Sequence, residues 1–208
     1  MMASMLLLAI AGPSGSGKST IADELRADWS VGSMEIVGVD RYYRDLSHLP
    51  LSEREQQNFD NPDALESGLL FDHIDALANG DDVDLPRYDF ASHVREPGVD
   101  PLKPPSVLIV EGLFSLYWEQ LRSRADLCVF VDVDSSICLE RRLRRDAAER
   151  SRDASSVIQQ FHSHVAPMCE QFITPTRAWA HVTVSGLAPL HQSVEIIKSQ
   201  LLERTQLP

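Results

Sequence analysis

Short apolar runs alternate with longer amphipathic stretches along the chain. The runs are Leu6–Ala11, Ile36–Val39, Val107–Val110, Leu127–Val131 and Val182–Val184. They are rich in leucine and β-branched residues and carry no alternating polar positions, which is how strands covered on both faces read. Helical spacing of apolar residues falls between them, over Lys18–Asp28, Asp63–Ala78, Leu116–Ser123, Ser136–Arg150, Ala154–Phe172 and His191–Glu203. Strands that alternate with helices in this way predict a three-layer α/β fold, a five-stranded parallel sheet with helices on both faces.

Local signals mark several boundaries. Asn61-Pro62-Asp63 opens one helix and Asn79-Gly80 closes it, while Ser135 or Ser136 caps the helix that follows Asp132 and Asp134. One stretch, from about 81 to 105, breaks the rhythm with five prolines and no helical period. Leu85, Tyr88, Phe90 and Val94 make it too apolar for a linker, so a short hairpin folding over a pocket is expected.

The first strand runs into Gly12-Pro13-Ser14-Gly15-Ser16-Gly17-Lys18-Ser19-Thr20. This is G-x-x-x-x-G-K-[ST] between a buried strand and a helix, the context in which it forms a phosphate-binding P-loop. Backbone N–H groups turn inward as an anion nest and the helix start adds its positive dipole end. Lys18 would reach the β- and γ-phosphates and Ser19 would ligate Mg²⁺. Thr20 stands where a dinucleotide-binding loop needs a third glycine, so that reading fails. The chain has no N-K-x-D guanine reader and no L-S-G-G-Q-type transporter signature. A small kinase or a nucleotide-gated binding module remains.

Composition narrows the partners. The 208 residues carry 19 basic and 31 acidic side chains, a net charge of −12. Such a surface repels nucleic-acid phosphates and anionic membranes. Six of the 19 basic residues nevertheless fall between Arg141 and Arg152, a local patch suited to a small anionic ligand or else a solvated helix face. Cys128, Cys138 and Cys169 have no C-x-x-C spacing and read as reduced core thiols of a cytoplasmic protein. No apolar run is long enough to span a membrane, and Met5–Ala11 lacks the basic flank of a signal peptide.

Two acids fall where strands end, the edge at which open α/β sheets hold ligands. Ile36–Val39 runs into Asp40, and Val107–Val110 runs into Glu111. One would complete a Mg²⁺ shell and the other would take the proton of an attacking hydroxyl. With these, the sequence resembles the uridine/cytidine kinases within the phosphoribulokinase and uridine kinase group. The similarity runs from the P-loop to about Val184. It rests on Asp40-Arg41-Tyr42-Tyr43-Arg44-Asp45, Asn58-Phe59-Asp60-Asn61-Pro62-Asp63-Ala64, Tyr88-Asp89-Phe90-Ala91-Ser92-His93, Val110-Glu111-Gly112, and Arg141-Arg142 through Asp146 to Arg152.

The resemblance implies transfer of the γ-phosphate of ATP or GTP to the 5′-hydroxyl of uridine or cytidine, with Mg²⁺, in pyrimidine salvage. It implies that Asp40 is the catalytic acid and that Glu111, with Ser19 and Asp40, serves the metal. Tyr43 lines the ribose site and Asp60 holds the ribose hydroxyls. Tyr88 and His93 read the pyrimidine edge while Phe90 packs on the base. Arg142, Arg152 and Gln160 contact the nucleoside, and Arg145 and Arg150 belong to a helical arginine lid, about 141–160, beside the phosphates. It further implies one kinase domain over 1–208 and a homo-oligomer, commonly a tetramer. Ser185-Gly186-Leu187 stands where the family commonly has Pro-Arg-Gly near the adenine, and Trp179-Ala180-His181 replaces Tyr-Ala-Asp.

Two rival readings stay open. A kinase acting on pantothenate or ribulose 5-phosphate would need acceptor-side cations, for which Arg41, Arg87 and Arg95 are candidates. A regulatory module would bind nucleotide without transfer. His162 and His164, two apart on a helix, fall on different faces and do not form a metal pair. Trp29, Trp118 and Trp179 are scattered and read as packing.

Overall fold

β1 (Leu6–Ala11) lies at the centre of a five-stranded sheet with β2 (Met34–Gly38), β5 (Val107–Glu111), β6 (Leu127–Asp132) and β7 (Val182–Ser185). β3 (Val83–Asp89) and β4 (Val94–Leu102) pair apart from it as an antiparallel hairpin. The structure is a computed structural model describing residues 5–149 and 154–205. The sheet order is β2-β5-β1-β6-β7 and every pair in it is parallel. Leu6 sits opposite Val107 on one side of β1, and Leu8 opposite Leu127 on the other.

Because side chains alternate along a strand, β1 feeds two separate cores. Leu7, Ala9 and Ala11 share one face with Leu108, Val110 and Phe130, and the helix Ser67–Asn79 covers that face through Leu70, Ile74 and Leu77. Leu8 and Ile10 face the helices Lys18–Ala27 and Leu190–Thr205 through Ile21, Leu25, Val194, Ile197 and Leu201. Both faces are covered, which is why the strands read as unbroken apolar runs.

Successive strands leave β1 toward opposite edges of the sheet, so a crevice opens at the carboxyl end of β1. The P-loop, Glu111, Asp132 and Gly186 all emerge at that edge. Strand and hairpin expectations agree with the structure, and several helix boundaries differ. The Ile36–Val39 run ends as a strand at Gly38, and Val39–Tyr42 is a 3₁₀ turn that carries Asp40. The Asp63–Ala78 stretch divides: Asn61 caps the short 3₁₀ turn Pro62–Ala64, and the α-helix starts at Ser67. Leu116–Ser123 shortens to Glu119–Arg122 because Gly112 to Tyr117 is taken up by turns. The serines do not cap Ser135–Glu149. Asp134 does, its carboxylate accepting from the Ser136 N–H at 2.9 Å and from the Ser136 hydroxyl at 2.7 Å.

The stretch beginning at Ala154 stays helical but widens into π-turns over Phe161–Val165 and Cys169–Ile173. Trp29 and Trp118 pack against the two cores, whereas Trp179 is exposed with the Arg122 guanidinium 3.8 Å over its ring. Among the described residues, no helix is long and apolar enough to cross a membrane.

Candidate active site

The P-loop turns because Gly17 adopts φ 98°, a left-handed conformation that side-chain-bearing residues rarely take, and so starts the helix Lys18–Ala27 directly. The loop is closed from within, since the Lys18 ammonium donates to the Pro13 carbonyl at 2.9 Å. Burial pulls the Lys18 pKa down, while Glu111, Cys138 and Asp40 work against that shift. Ser16 contributes a buried hydroxyl with no hydrogen-bond partner among the described residues. An orphaned donor inside a nest of amides fits an incoming phosphate oxygen.

Ser19 donates its hydroxyl to Glu111 Oε1 at 2.9 Å. Burial pushes the Glu111 pKa up, Lys18 pulls it back, and Asp40 pushes it further up. The two carboxylates share the space that Gly38 leaves. A Cβ placed there would lie 2.7 Å from Asp40 Oδ1 and 4.0 Å from Glu111 Oε1. Among the described residues, no cluster of three or more His, Cys, Asp or Glu forms a closed metal cage. A hydroxyl and one or two carboxylates is the sparse donor set that Mg²⁺ uses when substrate phosphates complete its shell, so the residues fit that ion.

One continuous cleft of about 720 Å³ runs from this end to an aromatic end. Ser14 to Thr20, Asp40 and Glu111 line the first part; Tyr43, Asp60, Tyr88, Phe90 and His93 line the second. Gly12 and Pro13 lie outside that lining. The aromatic side chains interlock. Tyr43 meets Phe59 edge-on at 5.2 Å and Tyr88 at 5.3 Å, and Phe59 stacks on His93 at 4.6 Å with planes 14° apart. The Tyr43 hydroxyl donates to the Phe59 carbonyl at 2.9 Å, and burial, followed by Asp60 and Asp40, holds its pKa well above the usual range. It therefore stays a neutral donor. The Tyr88 hydroxyl is buried with no partner among the described residues. His93, at the hairpin tip, has φ 55°, a strained conformation of the kind that gathers at binding sites.

Arginines close the cleft from the helix Ser135–Glu149. Arg142 donates to Gln160 Oε1 at 3.0 Å and to the Ser14 hydroxyl at 3.4 Å. Arg145 pairs with the fully buried Asp146 at 3.0 Å. Arg141 spans three carbonyls, those of Gly15, Ser16 and Gly186, at 3.1, 3.3 and 2.9 Å. The loop after β7 carries no cation of its own, yet Arg141 brings one to it from the neighbouring helix. Arg144, by contrast, is exposed and pairs with Glu140. Arg150 and Arg152 lie outside the described residues.

Phe59, Asp146 and Arg141 lie within the motif stretches of the sequence, but nothing in the sequence itself marks them for a role. Glu55, which also lines the cleft, had no motif to mark it. The three candidate acceptor-side cations are occupied elsewhere and none lines the cleft. Arg41 donates to Asp100 at 2.7 Å, Arg87 pairs with the same carboxylate, and Arg95 holds the carbonyls of Tyr42 and Tyr43 together with Glu66.

A parallel sheet with a P-loop at its switch point, facing an aromatic enclosure across two carboxylates, defines a P-loop kinase, a phosphotransferase that uses a nucleotide donor. Comparison with known proteins gives the family. The model of the Phosphoribulokinase / Uridine kinase family matches residues 7–190, and the chain belongs to that family. It is 44% identical over 181 residues to a uridine kinase of Chloroflexus aurantiacus, covering 87% of each chain. It is 40% identical over 200 residues to a uridine kinase of Staphylococcus aureus, covering 96% of this chain and 97% of the other. The fold is shared with phosphoribulokinase from Rhodobacter spheroides at a TM-score of 0.64 and 15% identity, over 88% of this chain and 70% of that one.

Proposed function

We propose that the protein transfers the γ-phosphate of ATP or GTP to the 5′-hydroxyl of uridine or cytidine. The observation that carries this reading is the single cleft in which a phosphate cradle and an aromatic enclosure meet at Asp40. The relatives at 40–44% identity bear the name uridine kinase, which supports the same acceptor. An uncharged nucleoside calls for stacking and hydrogen bonds rather than charge. The engagement of Arg41, Arg87 and Arg95 outside the cleft weighs against a phosphorylated acceptor such as ribulose 5-phosphate.

In this reading Asp60 accepts hydrogen bonds from the ribose hydroxyls, and His93 and Tyr88 address the pyrimidine edge with Phe90 against its face. Asp40 accepts the proton of the 5′-hydroxyl and aligns its oxygen on the terminal phosphorus. Phosphoryl transfer passes through a loose transition state with charge spread over the phosphoryl oxygens, so positioning and cations do most of the work. Lys18, Arg142 and Arg145 are the cations of this chain for that purpose, with Arg150 and Arg152 assigned by resemblance. Ser19 and Glu111, beside Asp40, would hold Mg²⁺, which supplies charge neutralisation to the donor phosphates when bound. Closing arginines over the cleft would exclude water, the competing acceptor. By resemblance the reading extends to pyrimidine salvage in the cytoplasm and to a homo-oligomer, commonly a tetramer.

The test is a turnover screen of nucleosides, pantothenate and ribulose 5-phosphate with ATP and GTP. Uridine and cytidine are expected to exceed every other acceptor in kcat/KM by about a hundredfold, a margin of roughly 3 kcal/mol. A preference for ribulose 5-phosphate or pantothenate would overturn the acceptor assignment, and nucleotide binding without any transfer would favour a regulatory module.

A further inference from the structure

Arg54 ends the short helix Leu51–Arg54 and lies outside the cleft, although the next residue, Glu55, lines it. Its guanidinium directs its donors to three backbone carbonyls. The Nε–H donates to Leu49 at 2.7 Å, and the two terminal nitrogens donate to Ser92 at 3.0 Å and to Ser47 at 3.1 Å. Leu49 and Ser47 belong to the loop that leads into the helix, so two of these bonds are local. The third crosses 38 residues to the tip of the β3–β4 hairpin, one residue before His93. A planar fork with fixed donor directions can hold three carbonyls at once, which the compact ammonium of a lysine cannot.

The bond to Ser92 matters through the residue that follows. The angle φ of a residue is the rotation of its own Cα against the rigid peptide plane that precedes it. Fixing the Ser92 carbonyl therefore fixes the plane from which the φ of His93 is measured. That φ is 55°, and among the described residues His93 is the one non-glycine residue with a positive value. The ordinary basins lie about 120° or more away. A rotation of that size would carry the buried imidazole off the Phe59 ring, on which it stacks at 4.6 Å with planes 14° apart. Asp89 holds the earlier part of the turn, accepting from the Ala91 N–H at 2.9 Å and from the Ser92 hydroxyl. Arg54 holds the plane that enters His93.

We propose that Arg54 is a positioning residue for the acceptor end: by gripping the Ser92 carbonyl it keeps His93 in the left-handed basin, with the imidazole against Phe59 and in the cleft. Lying outside the cleft, it acts through His93 rather than on a ligand. The charge of Arg54 also reaches Tyr88. Burial pushes the Tyr88 hydroxyl up to about 12, with Asp45 in the same direction, and Arg95 and Arg54 work against that rise. Tyr88 stays protonated with or without this opposition, so the effect on the acceptor runs through His93. What His93 meets in the cleft rests on the acceptor reading above; that Arg54 sets its conformation does not.

Arg54→Gln in the full chain is the test, read by NMR and by kinetics. In the free protein the His93 imidazole resonances, assigned by their loss in His93→Gly, carry a ring-current shift from Phe59. In Arg54→Gln they are expected to move toward the values of an unstacked histidine. With uridine as acceptor, Arg54→Gln is expected to raise the acceptor KM by about tenfold, as the loss of one charge-assisted hydrogen bond would. The donor KM is expected to stay within about twofold. In a His93→Gly background the same substitution is expected to change the acceptor KM by less than about twofold, because residues that act through one another do not add. His93 resonances that stay in place in a folded Arg54→Gln protein would overturn the proposal. So would a full rise in acceptor KM in the His93→Gly background, which marks another route, or equal rises in both KM values, which mark a general loss of structure. Arg54→Lys keeps the charge and the stem but not the fork, and gives the same readings where Arg54→Gln does not fold. A His93 imidazole without a ring-current shift in the unsubstituted chain is already enough to refute the arrangement. Moved resonances beside an unchanged acceptor KM would uphold the link from Arg54 to His93 and overturn the part assigned to His93 in acceptor recognition.

Discussion

Asp40 and Gly186 show how much rests on single positions. Asp40 sits on a 3₁₀ turn rather than on a strand, with Glu111 across the gap left by Gly38. Removing its carboxylate charge without changing its size isolates the proton-accepting role proposed for it. Asp40→Asn is expected to lower kcat by roughly 10²–10⁴-fold, the usual range for a general base, while equilibrium binding of nucleotide is retained. Turnover within a few-fold of the unsubstituted enzyme would remove Asp40 from the mechanism. Gly186 matters through contact, because a Cβ there would lie 2.1 Å from the Ser16 carbonyl oxygen and 2.4 Å from a Val133 methyl. The near neighbour is P-loop backbone, which cannot swing away as a side-chain end does. Gly186→Ala is expected to raise the donor KM more than the acceptor KM and to cost about 1–3 kcal/mol of stability, the usual toll of overpacking. Chemical denaturation together with paired KM measurements checks both parts. The residue pattern already suggested Asp40, but Gly186 reads in sequence only as a departure from the family's Pro-Arg-Gly. Its constraint comes from the P-loop, at the opposite end of the chain, and no local pattern records a contact between such distant segments.

At the scale of elements, the acceptor hairpin is fastened to the turn that carries Asp40 by two arginines pointing in opposite directions. Arg41, on the turn, reaches Asp100 and the Pro86 carbonyl of the hairpin. Arg95, on β4, reaches back to the carbonyls of Tyr43 and Tyr42 at 3.0 and 3.3 Å and pairs with Glu66 at 2.7 Å. The hairpin presents Tyr88, Phe90 and His93 to the cleft that Asp40 also lines, so the groups proposed to address the base and the carboxylate proposed to align the transferring oxygen are mechanically linked. Arg95→Gln removes the charge and the fork that bridges two carbonyls. It is expected to raise acceptor KM and lower kcat together, each by about tenfold, as the loss of one or two charge-assisted hydrogen bonds would, with donor KM unchanged. Equal changes in donor and acceptor KM would point to a general loss of folded protein instead. The hairpin itself was legible, since five prolines deny a helix while Leu85 and Tyr88 demand burial. The latches were not, because an arginine's partner is chosen by folding. For that reason Arg41, Arg87 and Arg95 read in sequence as candidate phosphate ligands. The arm after Ala154 was equally opaque: its apolar spacing is helical, and nothing in that spacing distinguishes an α-turn from the wider π-turns at Phe161 and Cys169.

Across the whole molecule, the two-faced sheet explains why the architecture could be read so directly. Each strand is buried on both sides, so Leu6–Ala11 and Leu127–Val131 announce themselves as continuous apolar runs, and the ligand edge follows from where they stop. Charge is the other global property, and it sets the response to acid. Asp45, Asp75, Asp89, Asp100 and Asp134 all have pKa values below the ordinary 3.8. The Ser47 hydroxyl holds Asp45 down, Arg124 holds Asp75, Ser92 holds Asp89, Arg87 holds Asp100 and Ser136 holds Asp134. A carboxylate whose folded pKa is depressed contributes stability that is complete above its unfolded value and disappears as pH falls through the folded one. All five therefore act in the same direction. Each is largely solvent-screened and small by itself, but the losses coincide in one window, below about pH 4. Above that window the net charge of −12 acts the other way, since partial protonation relieves self-repulsion. The melting temperature is expected to be level or to rise slightly from pH 7 to pH 5, then to drop steeply below pH 4. Asp75→Asn removes the carboxylate that Arg124 grips at 2.6 and 2.7 Å and should make that drop shallower. Calorimetric scans of both proteins from pH 7 to pH 3 measure it. A melting temperature that holds steady from pH 4.5 to pH 3 would mean that these carboxylates are no more stabilised in the folded chain than in the unfolded one.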